Sequence, residues 1–311
     1  KQTSDSGYVI VGSTSSYGNG SPGISDVYFI KTDFYGDTIW TKTFGGVGTD
    51  RGNSIQQTTD GGYVIVGETE SYGNGSPDGY GSRDIYLIKT DFNGDTLWTK
   101  TFGGTDDENG QSVQQTSDSG YVIVGMTSSY GNGSKDIYLI KTNENGDTLW
   151  TKTFGGIQGD YGWSVQQTTD DGYIVTGSTK IEDDNYMYLI KTNEIGDTLW
   201  TKTFGGEICG SGRSVQETSD GGYIITGVVD PGWNIPKVSL VKTNEDGDTT
   251  WTKMFGGTGI DLGYSVQQNS DDGYVIVGET SSFGNGGSDV YLIKTNEVGD
   301  TICTKTFGET I

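Results

Sequence analysis

The sequence contains no histidine and no alanine, and it has only two cysteines, three methionines and nine leucines in 311 residues. The absence of histidine excludes a Ser-His-Asp relay, a Cys-His pair and a His-ligated zinc, copper or iron site. Because alanine and leucine are the strongest helix formers, their scarcity argues against a helix-rich domain. No apolar run approaches the roughly 18–20 residues of a transmembrane helix. We therefore expect no membrane insertion.

Positive charge is also scarce, since 19 Lys and Arg residues face 42 Asp and Glu residues, for a net charge of −23 at pH 7. Proteins that bind nucleic acids neutralise phosphates with Lys and Arg, so the sequence predicts no nucleic-acid partner. The same negative charge disfavours docking on an anionic lipid surface. Any ligand must be bound by carboxylates, amides, hydroxyls, aromatic rings and a few basic groups.

Glycine is abundant, with 53 residues, and it belongs to an internal repeat. The string Gly-Tyr-(Val/Ile)-(Ile/Val) recurs six times, with its tyrosine at Tyr8, Tyr63, Tyr121, Tyr173, Tyr223 and Tyr274. A second string, Trp-Thr-Lys-Thr-Phe-Gly-Gly, begins at Trp40, Trp98, Trp150, Trp200 and, with one change, Trp251. In the sixth copy Cys303 replaces the tryptophan. A regular repeat of this length is typical of propellers and solenoids.

Each unit is predicted to contain four strands. In the second unit these are Ser54–Thr58, Tyr63–Gly67, Asp84–Thr90 and Thr96–Phe102, joined by Gly-rich turns. Four-stranded units of this length predict an all-β fold, a six-bladed β-propeller with four antiparallel strands per blade. The predicted domain is a single propeller, 1–311. Its repeat units are approximately 1–46, 47–104, 105–156, 157–206, 207–257 and 258–311.

The start of the sequence departs from this pattern. Lys1-Gln2-Thr3 aligns with the end of a first strand, Gln114-Gln115-Thr116 in the third unit. We therefore expect either a shortened first strand in the first blade or a chain that is a segment of a longer repeat array.

The repeated motifs resemble the β-propeller repeats of bacterial and archaeal surface proteins. That family has four recurring features, which are Asp-Gly-Gly-Tyr, a strand closed by glycine, Asp-x-Tyr-Leu-x-Lys and Trp-x-Lys-x-Phe-Gly-Gly. The unit is also similar to a Kelch repeat in its Gly-ended second strand and its outer-strand tryptophan. The resemblance covers the whole chain and implies a propeller fold and an extracellular or cell-envelope location. It implies little about activity, because unrelated functions share this fold.

Candidate ligand-binding residues occupy a variable position in the otherwise fixed string Gly-x-Ser-(Val/Ile)-Gln. These residues are Asn53, Gln111, Trp163, Arg213 and Tyr264. Amides, aromatic rings and a guanidinium suit a sugar or another polar ligand through stacking and hydrogen bonds. Trp233, in a long loop where the fourth and fifth units break the six-fold pattern, is a sixth candidate. The alternative is that these side chains are solvated loop residues without a common role.

Acidic residues precede the same string and are weak candidates for a calcium site. Asp50, Asp160 and Asp261 lie two residues before the glycine, whereas the fifth unit has Gly210 there. Calcium prefers several oxygen ligands, but these carboxylates lack the dense spacing of a calcium loop. Carboxylates that accept backbone N–H groups and fix the loop are the alternative. We expect no other cofactor.

These observations favour a non-catalytic propeller that serves as a binding or scaffold module for a glycan or a protein. No catalytic residue stands out. One alternative is a carbohydrate-active enzyme that uses paired carboxylates on the variable-loop face. A third hypothesis is a structural repeat of a larger surface protein. The sequence leaves the oligomeric state open.

Overall fold

The computed structural model describes residues 1–18, 23–73, 82–205, 209–230 and 235–309. These residues form 23 β-strands, β1 to β23. No helix that could cross a bilayer occurs among them.

Six antiparallel sheets contain all the strands, each sheet following the chain order of its strands. The first sheet is formed by β1 (Tyr8–Thr14), β2 (Asp26–Thr32) and β3 (Thr38–Phe44). The second is formed by β4 (Asp50–Gln57), β5 (Tyr63–Thr69), β6 (Asp84–Thr90) and β7 (Thr96–Phe102). The third is formed by β8 (Glu108–Gln115), β9 (Tyr121–Thr127), β10 (Asp136–Thr142) and β11 (Thr148–Phe154).

The remaining three sheets repeat the same arrangement. The fourth is formed by β12 (Tyr161–Gln167), β13 (Tyr173–Ile181), β14 (Asp184–Thr192) and β15 (Thr198–Phe204). The fifth is formed by β16 (Cys209–Glu217), β17 (Tyr223–Asp230), β18 (Lys237–Thr243) and β19 (Thr249–Phe255). The sixth is formed by β20 (Asp261–Gln268), β21 (Tyr274–Thr280), β22 (Asp289–Thr295) and β23 (Thr301–Phe307).

The predicted fold class, an all-β propeller of six antiparallel blades, is confirmed. The first blade has three strands in place of four, because the residues before Tyr8 contribute only an isolated bridge between Gln2 and Tyr8. Each sheet lies inside its predicted repeat unit. Contacts divide the chain into two compact units of three blades, Lys1–Ile157 and Gln158–Ile311. A single domain over 1–311 stays a prediction.

The core of each unit lies between neighbouring blades. Strands β5 and β6 are buried along their whole length, as expected for apolar strands covered on both faces. Between the second and third blades, Val64, Val66, Ile85 and Leu87 pack with Val113, Tyr121, Ile123, Tyr138 and Ile140. Equivalent clusters join the blades of the second unit. Within each unit, neighbouring blades are thus held together by interdigitated apolar side chains.

Lysine and aspartate residues connect the turns of the repeat. Lys89, on β6, is buried and binds Asp60 in the turn between β4 and β5 at 2.8 Å. Lys100, on β7, binds Asp147 of the next blade, also at 2.8 Å. The same two kinds of ion pair recur in the second unit, at Lys242–Asp220 and Lys202–Asp248. The repeated lysines therefore have a structural role within and between blades.

Candidate functional site

The variable position of each first strand is a β-bulge. In the second blade Gly52 pairs with Gly67 and Ser54 pairs with Val66, so that Asn53 is left without a cross-strand partner. The register shifts at the same point in the other four first strands. A bulge leaves one residue outside the ladder and redirects its side chain. The five predicted residues on these strands therefore share a backbone geometry that releases their side chains from the sheet.

The fixed residues after the bulge join one blade to the next. The Gln216 side-chain oxygen accepts a hydrogen bond from the Gln268 backbone N–H at 2.7 Å. Gln56 accepts one from Gln115 in the same way, also at 2.7 Å. Because these bonds satisfy backbone donors of the neighbouring blade, the Ser-(Val/Ile)-Gln frame is constant while the bulged residue is free to vary.

In the unit Gln158–Ile311 the bulged residues of neighbouring blades meet. The Arg213 guanidinium carbon lies 3.9 Å from the centroid of the Trp163 ring. Tyr161 stacks with Trp163 at 6.5 Å between centroids and 17° between planes. Burial lowers the pKa of Arg213, although a guanidinium stays protonated in any such site. The predicted Trp163 and Arg213 thus form one cluster, and the guanidinium covers one face of the indole.

Arg213 differs from the other two arginines in its partners. Arg51 and Arg83 form ion pairs with Glu68 and Glu70, at 2.8 and 3.0 Å. Within the described ranges, Arg213 forms no salt bridge, and its buried Nε atom and the Trp163 Nε1 atom have no hydrogen-bond partner. A guanidinium held against an indole without a carboxylate is available to an anionic group.

Tyr264, the bulged residue of the sixth blade, extends this cluster. Burial, with a further contribution from Glu279, raises the pKa of its hydroxyl, which is hydrogen-bonded to that carboxylate. Tyr264 remains 45% exposed, so part of this residue is accessible to a ligand. The cluster of Tyr161, Trp163, Arg213, Tyr264 and Glu279 is called the arginine–aromatic cluster below.

In the unit Lys1–Ile157 the bulged residues form a polar network. The Asn53 amide donates to the Asn109 side-chain oxygen at 3.2 Å, and the Gln111 amide donates to the same oxygen at 2.6 Å. The Asn109 amide in turn donates to the buried Glu68 carboxylate. The predicted Asn53 and Gln111 therefore lie together, with much of their hydrogen-bonding capacity used within the protein.

The acidic candidates fix the loops between blades. The Asp50 carboxylate accepts hydrogen bonds from the Thr69 hydroxyl, the Ser71 hydroxyl at 2.6 Å and the Gly46 N–H at 3.0 Å. Asp261 accepts the equivalent bonds in the sixth blade. Burial raises the pKa of Asp50 against the effect of these donors.

Both oxygens of Asp50 already accept hydrogen bonds from the protein, which supports the loop-fixing role at this position, and a calcium site at these carboxylates stays a prediction. Asp160 is buried at the equivalent place. The described residues contain no group of three or more side chains arranged to hold a metal ion.

Sequence reasoning missed Tyr161, Glu279, Asn109 and Glu68, which surround the bulged residues. The available signal was a second variable position, two residues before the bulge, occupied by Arg51, Asn109, Tyr161, Ser211 and Leu262. The sixth candidate, Trp233, lies outside the described residues.

Comparisons with known proteins identify the fold and no family. No family model and no curated protein matches the chain. A Bacteroides caccae protein of unknown function matches with a TM-score of 0.55 and 11% identity, covering 97% of this chain and 94% of that one. The resemblance to surface-protein repeats therefore stays a prediction.

Two other solved structures share the fold. A polysaccharide lyase of family PL25, an ulvan lyase bound to -[GlcA(1-4)Rha3S]-, matches with a TM-score of 0.61 and 11% identity, over 90% of this chain and 78% of that one. Sqt1 from Chaetomium thermophilum, bound to the N-terminus of the ribosomal protein L10, matches with a TM-score of 0.53 and 10% identity, over 97% of this chain and 84% of that one. At these identities the likeness shows the fold alone.

Proposed function

We propose that this protein is a non-catalytic binding module that recognises an acidic glycan through the arginine–aromatic cluster. The observation that carries the proposal is Arg213, which packs on Trp163 and forms no salt bridge among the described residues in a chain of net charge −23. A sugar carboxylate would pair with the guanidinium fork, and a sugar ring would stack on the exposed face of Tyr264.

The negative net charge does not exclude an acidic ligand. Repulsion from distant carboxylates is screened beyond about 8 Å at physiological ionic strength, whereas a contact with Arg213 is made at hydrogen-bond distance. We therefore expect binding to persist at moderate salt and to weaken at very low salt. The proposal places the protein outside the cell, where such glycans are exposed.

The test is binding of uronate-containing and sialylated oligosaccharides, measured on a glycan array and by calorimetry, beside neutral oligosaccharides of the same length. Loss of a charge-assisted hydrogen bond costs about 1.5–3 kcal/mol, so Arg213→Gln should weaken binding by about tenfold or more. Tyr264→Ala should weaken it as well.

The matched control is Arg83→Gln, which removes the same charge from an arginine that already pairs with Glu70, and it should bind as the wild type does. Equal binding of neutral and acidic sugars, or an unchanged affinity in Arg213→Gln, would contradict the proposal.

A further inference from the structure

The fifth blade departs from the repeat where β18 faces the fourth blade. The other blades have a tyrosine at this position of the third strand, at Tyr28, Tyr86, Tyr138, Tyr188 and Tyr291. The fifth blade has Ser239, which pairs with Gly227 in the register in which Tyr86 pairs with Gly67. A large aromatic side chain is thus replaced by a hydroxymethyl group within an unchanged backbone.

The role of the tyrosine is visible in the blades that keep it. The hydroxyls of Tyr86, Tyr138 and Tyr188 are hydrogen-bonded to threonines on the neighbouring strand, at Thr99, Thr151 and Thr201. The fifth blade retains this threonine as Thr252, which pairs with Val241 as Thr99 pairs with Ile88. The fifth blade therefore keeps the threonine hydroxyl, at Thr252, but lacks the tyrosine that would bind it.

Three further substitutions fall around the same place. Gly210 replaces the buried acidic residue, since it pairs with Val229 where Asp50 pairs with Thr69. Val229 in turn replaces the threonine that binds this carboxylate. Met254 replaces the threonine that pairs with the tyrosine, Thr101 in the second blade. Together these changes remove a ring and a carboxylate and add apolar surface.

The result is a cavity of about 300 Å³ between the fourth and fifth blades. It is lined by Met187, Phe204, Gly205, Gly210, Val228, Val229, Ser239, Val241, Thr252, Lys253 and Met254. Ser239 is only 5% exposed, and its buried hydroxyl oxygen has no hydrogen-bond partner among the described residues. Buried polar groups normally have a partner, so this hydroxyl indicates a missing one.

The charge of the cavity limits the ligand. Among the described residues, its lining contains no carboxylate, and the one charged side chain there, Lys253, is paired with Asp300 at 2.7 Å. Apolar walls with a few convergent hydroxyls suit a neutral ligand with one polar end.

We propose that this cavity binds a small, neutral aromatic molecule that carries a hydroxyl group. Its ring occupies the space that a tyrosine ring fills in the other blades, and its hydroxyl pairs with Thr252, at the place that the tyrosine hydroxyl takes there. This site is separate in its residues from the arginine–aromatic cluster and does not depend on the glycan proposal.

The test uses para-cresol, the side-chain analogue of tyrosine, with toluene as the probe that lacks the hydroxyl. The chain has three methionines, of which Met187 and Met254 line the cavity and Met126 lies on β9 in the other unit. In protein labelled with ¹³C at the methionine methyl groups, para-cresol should shift the Met187 and Met254 signals saturably and leave the Met126 signal in place. Toluene should bind about threefold to tenfold more weakly, the equivalent of one hydrogen bond.

The blocking variant is Ser239→Tyr, which restores the side chain of the repeat and should abolish the para-cresol shifts. Val229→Phe fills the same cavity from β17 and serves if the first variant does not fold. Thr101→Met, the matched change on the second blade, should leave binding unchanged. Three results would overturn the proposal. These are equal shifts at Met126, unchanged saturable shifts in a folded cavity-filling variant, and no saturable shift in the wild type.

Discussion

Arg213 lies with its guanidinium carbon 3.9 Å from the centroid of the Trp163 ring, and both residues are β-bulges of neighbouring blades. Their contact depends on the strand register in both blades. The two bulges must lie at the same height along their first strands for the two side chains to meet. The hydrogen bonds that join these strands, such as that from Glu217 N–H to Gln166 at 2.7 Å, fix this level.

This contact should be measurable as a coupling energy. Cation–π contacts that are partly desolvated contribute about 0.5–2 kcal/mol. A double-mutant cycle of Trp163→Leu and Arg213→Gln, followed by urea denaturation, should give a coupling within that range. The pair Gln111 and Arg213, which belong to different clusters, serves as the control cycle and should be additive. A coupling near zero for Trp163 and Arg213 would show that the stacking does not stabilise the fold.

The outer-strand tryptophan should contribute strongly to stability. The Trp98 ring meets Tyr121 of the next blade edge-on at 5.8 Å, and the same pair recurs at Trp200–Tyr223 and Trp251–Tyr274. Because large-to-small substitutions in packed sites lose both burial and contacts, Trp98→Ala should lower the free energy of unfolding by about 3 kcal/mol. Leu97→Ala, at an exposed neighbouring position, should change it by less than about 0.5 kcal/mol. Similar losses in the two variants would contradict this assignment.

Gly94 should tolerate substitution less well than Gly61. Both residues have a positive φ, 78° and 83°, so alanine is strained at either position. A Cβ atom at Gly94 would lie 2.7 Å from the Trp40 ring of the preceding blade, whereas at Gly61 nothing lies within 4 Å. Thermal unfolding should therefore show a larger drop in Tm for Gly94→Ala. Equal drops would mean that the backbone conformation alone requires these glycines.

The fold should lose stability in acid. A hydrogen bond from the Thr3 hydroxyl, with a second from Lys31, lowers the pKa of Asp5 to about 2. Although burial acts to raise it, hydrogen bonds from Thr218 and Lys242 bring the pKa of Asp220 to about 2 as well. Asp60, Asp118, Asp170 and Asp271 occupy the equivalent turn of their own blades, and their pKa values are lowered as well.

A carboxyl group whose folded-state pKa lies below its unfolded value, about 3.9, stabilises the fold above that value and loses this contribution as pH falls through the folded pKa. Urea denaturation should therefore show stability falling between about pH 4 and pH 2. Asp220→Asn should reduce the slope in this window. Asp50→Asn should not, because burial raises the pKa of Asp50 and its contribution has the opposite sign.

The turns and strands of the repeat could be predicted from sequence because their causes are local. The glycines of Asp60-Gly61-Gly62 indicate a turn, and the residues Tyr63–Gly67 indicate a strand. Each signal lies within a few residues of the structure that it predicts. The shortened first blade could be predicted as one of two alternatives for the same reason, since Lys1-Gln2-Thr3 aligns with a strand end. The bulge at Asn53, by contrast, arises from pairing with β5 and leaves no signal within β4 itself.

The candidate sites divide in the same way. The sequence marked Trp163, Arg213 and Tyr264 as variable residues in a fixed frame, and it marked Gly210 as the exception to an acidic position. It could not show that the Arg213 guanidinium covers the indole or that Glu279 binds Tyr264, because these partners come from different strands. It also gave no weight to Ser239, whose importance depends on Met187 and Phe204 of the preceding blade.

The sequence by itself determined the number of blades, their strands and turns, and the absence of histidine chemistry, because each follows from composition or from a repeated local pattern. The tertiary structure decided which variable residues meet, which carboxylates are already satisfied and where the repeat leaves a cavity. Those properties depend on side chains contributed by separate blades, and only the packing of one blade against the next brings them together.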